Sequence, residues 1–165
     1  MSTLSHFDAG GNARMVDVSE KHDTKREASA HAFVRLSRDV LRALPSNPKG
    51  NPLEVARVAG IMAGKRTWDL VPMCHPLPLS HLDVDVQIID DERGTGVRIV
   101  SKAATVAPTG VEMEAMVAAT IAAITVYDMT KALDKSIEIQ DVYLLEKTGG
   151  KSGDYRRPAS GANRS

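Results

Sequence analysis

The stretch Pro108-Thr-Gly-Val-Glu-Met-Glu-Ala-Met-Val-Ala-Ala-Thr-Ile-Ala-Ala-Ile-Thr-Val-Tyr-Asp-Met-Thr-Lys131 predicts a long helix with charged ends and an almost wholly apolar middle. We place this helix at about residues 110–132, where Thr120 and Thr125 are the polar side chains of the middle. A helix that is apolar nearly all round must be covered on nearly all sides. Because a chain of 165 residues has little other protein with which to cover it, we infer that a second subunit supplies part of the cover.

The charges at the two ends of this helix do not have the same explanation. Glu112 and Glu114 lie in the first turn and Lys131 in the last, where the helix dipole favours each sign. For Glu112 this structural explanation and a functional one both stay open. Asp128 opposes the dipole, but it lies three residues before Lys131 and can form an ion pair with it. A partly desolvated Asp–Lys contact is one way in which a site holds an acid and a base with perturbed pKa values.

The spacing of the acidic residues predicts a site shared between subunits. Glu114 and Asp128 lie on nearly the same helix face at about 100° per residue, yet about 21 Å apart at a rise of about 1.5 Å per residue. One small substrate on one subunit does not reach both side chains. If both are functional, two subunits contribute to one site.

Composition excludes several classes of protein. The chain has 42% hydrophobic and 25% charged residues, which is typical of a single globular domain, and its 21 basic residues balance 21 acidic ones. A formal net charge of zero gives no general attraction to nucleic acid or to an anionic membrane. Cys74 is the single cysteine, so an internal disulfide is excluded. Without a signal pattern or a charge-free span of about 20 apolar residues, we expect a cytoplasmic protein that does not enter a membrane.

The rest of the chain predicts interleaved strands and helices. Residues 82–89 alternate between apolar and polar side chains and return at 97–100, which is typical of a hairpin. The other predicted elements are a strand at 15–19, a segment at 25–36 that fits a strand or a helix equally, helices at 37–44 and 53–68, and a closing strand at 137–145. This order predicts an α+β fold, a ferredoxin-like plait with a mainly antiparallel sheet and helices packed on one face.

Local signals set the predicted boundaries. Ser37 is a candidate helix cap and Pro45 ends that helix, while the second helix is predicted to have its apolar positions at Val55, Val58, Ala59 and Met62. Prolines isolate residues 73–75 on a loop. We expect residues 1–13 to form a flexible N-terminus and residues 156–165 a disordered tail.

Two motifs allow a chemical and a structural interpretation. Residues 147–153, Lys-Thr-Gly-Gly-Lys-Ser-Gly, are not a P-loop, because Leu145 stands where that motif requires glycine, so they form either a phosphate-binding basic loop or a flexible tail. Cys74 and His75 point to opposite sides in an extended chain, which argues against a nucleophilic dyad. His75 is then a ligand contact or acid/base group, or a structural residue.

The five histidines and the one cysteine do not have the spacing of metal ligands, which argues against a zinc site.

Several blocks of sequence together resemble the MoaC family, the cyclic pyranopterin monophosphate synthases of molybdenum cofactor biosynthesis. The blocks occur in the family's order at residues 15–19, 65–77, 109–115, 127–132 and 147–153. The resemblance covers residues 14–155 and implies a single catalytic domain. It further implies a ferredoxin-like subunit in a hexamer, a trimer of dimers, with active sites at subunit interfaces.

The resemblance also implies the reaction. Members of this family are lyases that convert 3',8-cyclo-7,8-dihydro-GTP, the product of a radical SAM enzyme, into cyclic pyranopterin monophosphate with release of pyrophosphate. The implied partners are this nucleotide-derived substrate, other copies of the chain and, functionally, the upstream radical SAM cyclase. No cofactor bound by the protein is implied, and the sequence leaves open whether Mg²⁺ accompanies the triphosphate.

The resemblance also implies a set of site residues, at the positions of this sequence that match the family's motifs. The catalytic residues would be Asp128, Lys131 and Lys49. The substrate would contact Met73, Cys74, His75, Glu112, Met113 and Glu114, with Arg26 and Lys147 near the triphosphate. The chain departs from the family at Ala107–Pro108, where members often have Gly-Lys, so another cation would have to replace that lysine.

Two other classes of protein fit less well. A ferredoxin-like domain can bind RNA through an aromatic sheet face, but only 4% of the residues are aromatic. A purely structural assembly protein would explain the apolar helix but not Asp128 or the charged loops. Acid–base chemistry without redox change, by contrast, suits an Asp–Lys pair surrounded by cations that stabilise developing phosphate charge.

Overall fold

The computed structural model describes residues 6–8, 10–92 and 94–158 of the chain. Its elements are β1 (Thr24–Arg35), α1 (Arg38–Ala43), α2 (Pro52–Gly64), α3 (Thr67–Leu70), β2 (Leu79–Asp91), β3 (Gly94–Ala107), α4 (Glu112–Thr130), β4 (Glu138–Thr148) and β5 (Tyr155–Arg156). The strands form one antiparallel sheet in the order β2-β3-β1-β4-β5. The predicted ferredoxin-like α+β fold is confirmed.

Strand β1 lies at the centre of the sheet and settles the segment that the sequence left open. Its inward side chains are Ala28, Ala30, Ala32 and Val34, which are at most 4% exposed, while His31 and Phe33 point to the other face. This alternation with a period of two is that of a half-buried strand. Alanines at three of the four inward positions leave room for α4 to lie close to the sheet.

Helices α2 and α4 pack through small residues. A Cβ atom at Gly60 would lie 2.8 Å from the Ala118 carbonyl oxygen, and one at Gly64 would lie 2.7 Å from Leu82 Cδ2. At Gly60 the short distance is to backbone, so glycine is required there. At Gly64 the Leu82 side chain would have to move, and the Glu114 carbonyl oxygen at 3.1 Å leaves little further space. The buried face of α2 is therefore Ala56, Gly60 and Gly64.

The predicted apolar face of the second helix is wrong for a physical reason. Val55, Val58 and Met62 are 40%, 54% and 59% exposed, because close helix packing placed the glycines inward instead. The helix also ends at Gly64, earlier than predicted, and a separate short helix follows at Thr67–Leu70. The predicted capping by Ser37 is confirmed, since its hydroxyl accepts a hydrogen bond from the Val40 N–H.

The chain ends differ from expectation. Residues 15–19 form no strand but an irregular segment that ends in a turn. The predicted disordered tail starts too early, because Arg156 pairs in β5 and the Arg157 N–H donates to the Leu145 carbonyl at 2.7 Å. Arg157 also lies 4.1 Å above the Tyr143 ring, which stabilises this attachment. Residues 1–5, 9 and 159–165, which belong to the predicted flexible ends, lie outside the described residues.

One chain covers only part of α4. Ala118, Ala119, Ala122 and Ala123 are fully buried against α2 and the sheet, whereas Ile124 on the other side is 46% exposed. Among the described residues α4 is the helix with the length and hydropathy of a membrane span, but half of its apolar window is buried inside the protein, as in a core helix. Cover of its exposed side by a second subunit stays a prediction.

Candidate active site

An open cavity of about 420 Å³ lies at the N-terminal end of α4. Three segments form its walls: the irregular chain before β1, the proline-rich loop after α3, and the first turn of α4. The lining residues are His6, Val16, Val18 and Lys21, then Met73, Cys74, His75 and Leu77, then Thr109, Gly110, Glu112, Met113 and Glu114. The structure thus brings together six predicted substrate contacts that are distant in sequence.

His75 is held by the segment before β1. Its Nε2 lies 2.8 Å from the Val16 carbonyl oxygen. Since a carbonyl only accepts hydrogen bonds, Nε2 carries a proton, which leaves Nδ1 as the nitrogen with the lone pair in the uncharged form of the ring. Residues 15–19, although not a strand, therefore fix the tautomer of a candidate acid/base group. The Val16 carbonyl, which orients His75, was not anticipated from the sequence.

Cys74 is an inert thiol rather than a nucleophile. Burial raises its pKa, and the negative charge of Glu114 raises it further. A thiol whose pKa lies above its usual range is protonated at neutral pH and reacts slowly. This agrees with the sequence argument against a Cys74–His75 dyad.

Glu114 is the most unusual ionisable group of the cavity. It is only 4% exposed, and burial raises its pKa to about 7. A hydrogen bond from its own backbone N–H lowers the pKa, and the charge of Glu112 raises it. Within the described parts of the chain, none of the ion pairs includes Glu114. A carboxyl group with a pKa near neutrality in a cavity is typical of a functional site.

The predicted phosphate-binding cations already have internal partners. Lys147 Nζ lies 3.1 Å from Glu112 Oε1 and also donates to Ser152 Oγ at 2.6 Å. The Arg26 guanidinium donates to the carbonyl oxygens of Ala107 and Pro108, each at 3.1 Å. Arg26 therefore holds the turn at which the chain departs from the family pattern.

The glycine-rich loop after β4 lies against β1. Gly149 and Gly150 have φ values of 85° and 83°, which favour glycine. A Cβ atom at Gly150 would collide with the Arg26 guanidinium, and one at Gly149 with the Lys25 carbonyl. Both glycines allow the basic loop to approach Arg26 closely.

A second group of site residues lies at the C-terminal end of α4. Lys131 Nζ is 2.6 Å from Asp128 Oδ1, so the predicted ion pair is confirmed. Lys49 Nζ lies 3.4 Å from the Asp128 backbone carbonyl, and Asn47 Nδ2 donates to the Met129 carbonyl at 2.7 Å. The contact made by Asn47 anchors the loop before α2, which brings all three predicted catalytic residues together.

The electrostatics of this second group differ from expectation. Asp128 and Lys131 are 55% and 49% exposed, so the pair is not desolvated within one chain. Hydrogen bonding and attraction within the pair lower the pKa of Asp128 and raise that of Lys131. Lys131 is therefore a firmly protonated cation, suited to stabilising negative charge or donating a proton, rather than a base.

The two groups of residues lie at opposite ends of one helix. Glu114 points inward to the cavity, whereas Asp128 points to solvent. Both lie in the continuous helix Glu112–Thr130, so the helix rise separates them by about 21 Å. Across residues 6–8, 10–92 and 94–158, three or more potential metal ligands do not gather anywhere.

Comparison with known proteins identifies the family. The family model described as the MoaC family matches residues 15–150. Relatives named cyclic pyranopterin monophosphate synthase include proteins of Heliobacterium modesticaldum, Geobacillus kaustophilus and Staphylococcus carnosus, at 52%, 50% and 49% identity over 159 residues. Each alignment covers 95% of this chain and 98–99% of the relative. The chain, with its two groups of charged residues at the ends of one core helix, therefore belongs to the MoaC family.

Proposed function

We propose that the protein is a cyclic pyranopterin monophosphate synthase. It converts 3',8-cyclo-7,8-dihydro-GTP into cyclic pyranopterin monophosphate and releases pyrophosphate. The observation that carries this proposal is the 49–52% identity, over nearly the whole length of both chains, to relatives of that name. The substrate comes from an upstream radical SAM cyclase, and both enzymes act in the cytoplasm.

The cavity at the N-terminal end of α4 holds the purine-derived part of the substrate. Its volume of about 420 Å³ lies within the range of about 300–1,000 Å³ that is typical of small-molecule sites. Met73 and Met113 supply polarisable thioethers that suit a flat ring. Nδ1 of His75 provides an acceptor for a substrate proton, which supports a role in the ring opening and closure of this reaction.

The second group handles the phosphate chemistry. When an oxygen attacks the innermost phosphate and pyrophosphate leaves, negative charge develops on the phosphate oxygens. Lys131 and Lys49 meet at Asp128, and their positive charges stabilise such a transition state. Lys147 of the adjoining subunit adds a third positive charge when its ion pair with Glu112 is replaced by a contact with a phosphate oxygen. Where Mg²⁺ accompanies the triphosphate, it adds positive charge at the same place.

One active site requires two subunits. Residue 121 lies midway between Glu114 and Asp128, so two antiparallel copies of α4 that meet there place the N-terminal end of each beside the C-terminal end of the other. The exposed Met113 and Ile124, 41% and 46% accessible, supply apolar surface on this helix for such contact. In the complete enzyme three such dimers form a hexamer.

The reaction itself provides the test. Purified protein is incubated with enzymatically prepared 3',8-cyclo-7,8-dihydro-GTP, and pyrophosphate is measured together with the fluorescent pterin obtained by oxidising the product. We expect both products in equal amounts. Binding of the substrate without either product would contradict the proposed function and would direct attention to Ala107–Pro108.

A further inference from the structure

The loop that carries Lys49, residues 45–51, is attached to the end of α4 through Asn47. We call these residues the Lys49 loop. Asn47 is the half-buried residue of this otherwise exposed loop, and its Nδ2 donates to the Met129 carbonyl at 2.7 Å. Exposed segments with few contacts open easily on the protein surface. The position of the loop relative to α4 therefore depends on one side-chain amide.

The same amide sets the shape of the loop. Oδ1 of Asn47 accepts the Lys49 N–H at 2.9 Å, a local turn that asparagine favours, and the Asn47 carbonyl accepts the Gly50 N–H at 3.1 Å. Pro48 favours an extended backbone in the residue before it, which agrees with φ −67° and ψ 123° at Asn47. Gly50 has a φ of 99°, a value that favours glycine. Asn47 thus fixes both the place of the loop and the direction in which Lys49 leaves it.

Asn47 and Lys49 contact neighbouring carbonyl groups at the C-terminal end of α4, where a helix leaves its last carbonyls without helical partners. The bond from Asn47 to the Met129 carbonyl is short, at 2.7 Å. Lys49 Nζ lies 3.4 Å from the Asp128 carbonyl, which is long for a hydrogen bond. Asn47 is therefore the firm contact, and Lys49 can move from its carbonyl to a phosphate oxygen while the loop stays in place.

We propose that Asn47 is a positioning residue, which holds the Lys49 loop on α4 so that the Lys49 ammonium stays beside the Asp128–Lys131 pair. A lysine has a flexible four-carbon stem, so its charge is placed accurately only when its backbone is fixed. Stabilisation of a transition state by charge depends on such placement before the reaction begins. This inference rests on the proposed function, in which Lys49 stabilises phosphate charge, and in it Asn47 acts only through Lys49.

Turnover of 3',8-cyclo-7,8-dihydro-GTP by the intact oligomer gives the first test. Asn47→Ala should lower kcat by roughly 10- to 100-fold, the scale of a misplaced catalytic group. KM should change by about 3-fold or less, because the charge is lost mainly from the transition state. Adding Asn47→Ala to Lys49→Ala should lower kcat by less than about 2-fold further, since residues that act as one unit are not additive.

Asn51→Ala is the matched control from the same loop. The Asn51 side chain accepts the Leu53 N–H at 3.0 Å and caps α2, and none of its described contacts reaches α4. Loss of a helix cap lowers stability, so urea unfolding should detect a loss in this variant as well as in Asn47→Ala. The kcat of Asn51→Ala should nevertheless stay within about 2-fold of wild type, which separates positioning of Lys49 from stability of the loop.

The pKa of Asp128 reports the position of Lys49 without any turnover. The hydrogen bond from Lys131 and its charge lower this pKa, and the charge of Lys49 lowers it further. Carbon NMR of isotope-labelled aspartate side chains at low salt measures it in the variants. Lys49→Ala and Asn47→Ala should raise the pKa by similar amounts, whereas Asn51→Ala should keep the wild-type value.

Several results would overturn this role of Asn47. One is a kcat of Asn47→Ala close to that of wild type, or an equal loss of kcat in Asn51→Ala. Another is a full further loss when Asn47→Ala is added to Lys49→Ala, because Asn47 would then act by another route. An unchanged Asp128 pKa in Asn47→Ala also overturns it. If wild-type protein forms no product, the proposed function fails, whereas the pKa comparison still decides whether Asn47 positions Lys49.

Discussion

The two ends of α4 hold carboxylates in opposite environments. Glu114, at the N-terminal end, is buried and its pKa is raised to about 7, whereas Asp128, at the C-terminal end, is half exposed and its pKa is lowered by Lys131. The helix dipole alone predicts the reverse order, since it favours a carboxylate at the N-terminus. Burial and the neighbouring charge therefore outweigh the dipole at both ends.

This difference separates two kinds of chemistry on one element. At the N-terminal end, Glu114 has a pKa of about 7 in a largely apolar cavity, so its carboxyl group can donate, release or accept a proton near neutral pH. At the C-terminal end, the solvent-exposed Asp128–Lys131 pair and the neighbouring Lys49 can contact phosphate groups, because they lie outside the apolar core. The proposed dimer brings the two ends together, so that both kinds of chemistry act on one substrate.

The largest effect is expected at the exposed end. Lys131→Ala and Asp128→Asn should each lower turnover by about 10³-fold or more, because charge stabilisation and proton transfer at the reacting atoms each contribute on that scale. Pyrophosphate release and pterin formation should fall together, while circular dichroism stays that of the wild type. Near-normal turnover in either variant would remove the exposed end from the mechanism.

Mixing of variants tests whether the two ends belong to different subunits. His75→Ala and Lys131→Ala should both be nearly inactive alone. Coexpressed in equal amounts, they should recover about a quarter of wild-type activity per subunit, because half of the dimers are mixed and each mixed dimer has one intact site. The double variant His75→Ala/Lys131→Ala, mixed with wild type, controls for simple dilution. Absence of recovery in the mixture would place both ends of the site in one subunit.

The raised pKa of Glu114 should make the free energy of unfolding depend on pH. An acid whose pKa is raised from 4.5 to about 7 in the folded state destabilises the protein progressively as the pH rises between these values, and by a constant amount above them. Relative to wild type, Glu114→Gln should therefore gain about 2 kcal/mol in the free energy of unfolding between pH 5 and pH 8. Urea unfolding at fixed protein concentration measures it. A constant difference across this range would show that a second subunit keeps Glu114 ionised.

The sequence revealed the exposed end more completely than the buried one. The Asp128–Lys131 pair depends on i, i+3 spacing, which is a local property of a helix and can be read directly. The surroundings of Glu114 depend on Gly64, because a Cβ atom there would lie only 3.1 Å from the Glu114 carbonyl oxygen. They also depend on Val16, which is distant in sequence and whose carbonyl accepts from His75 in the same cavity. Such long-range contacts leave no periodic pattern, and the local alternation at residues 15–19 predicts a strand that the structure does not contain.

Sequence periodicity predicts an element correctly where its buried side chains follow a regular pattern. The alternation at 82–89 predicted β2, and the apolar run predicted α4, because both elements bury a regular set of side chains. In helix α2, hydrophobicity predicts that Val58 and Met62 are buried, but they are exposed. Gly60 and Gly64 are buried instead, because they allow α2 to pack closely against α4. Periodicity thus predicts which residues are apolar, while steric fit decides which of them are buried.

The smallest effect is expected for the stability of the exposed pair. Asp128 has its pKa lowered from 3.8, so whatever stability the pair provides is fully present above that value and is lost only as the pH falls below it. Since both side chains are about half exposed and screened by salt, Asp128→Asn should melt together with the wild type at pH 7 and 0.15 M salt. Differential scanning calorimetry across pH 5 to 8 should show parallel curves for the two proteins, in contrast to those of Glu114→Gln. A clear loss of thermal stability at pH 7 would mean that the assembled enzyme buries the pair, and the contrast between the two ends of α4 would then hold only for the single subunit.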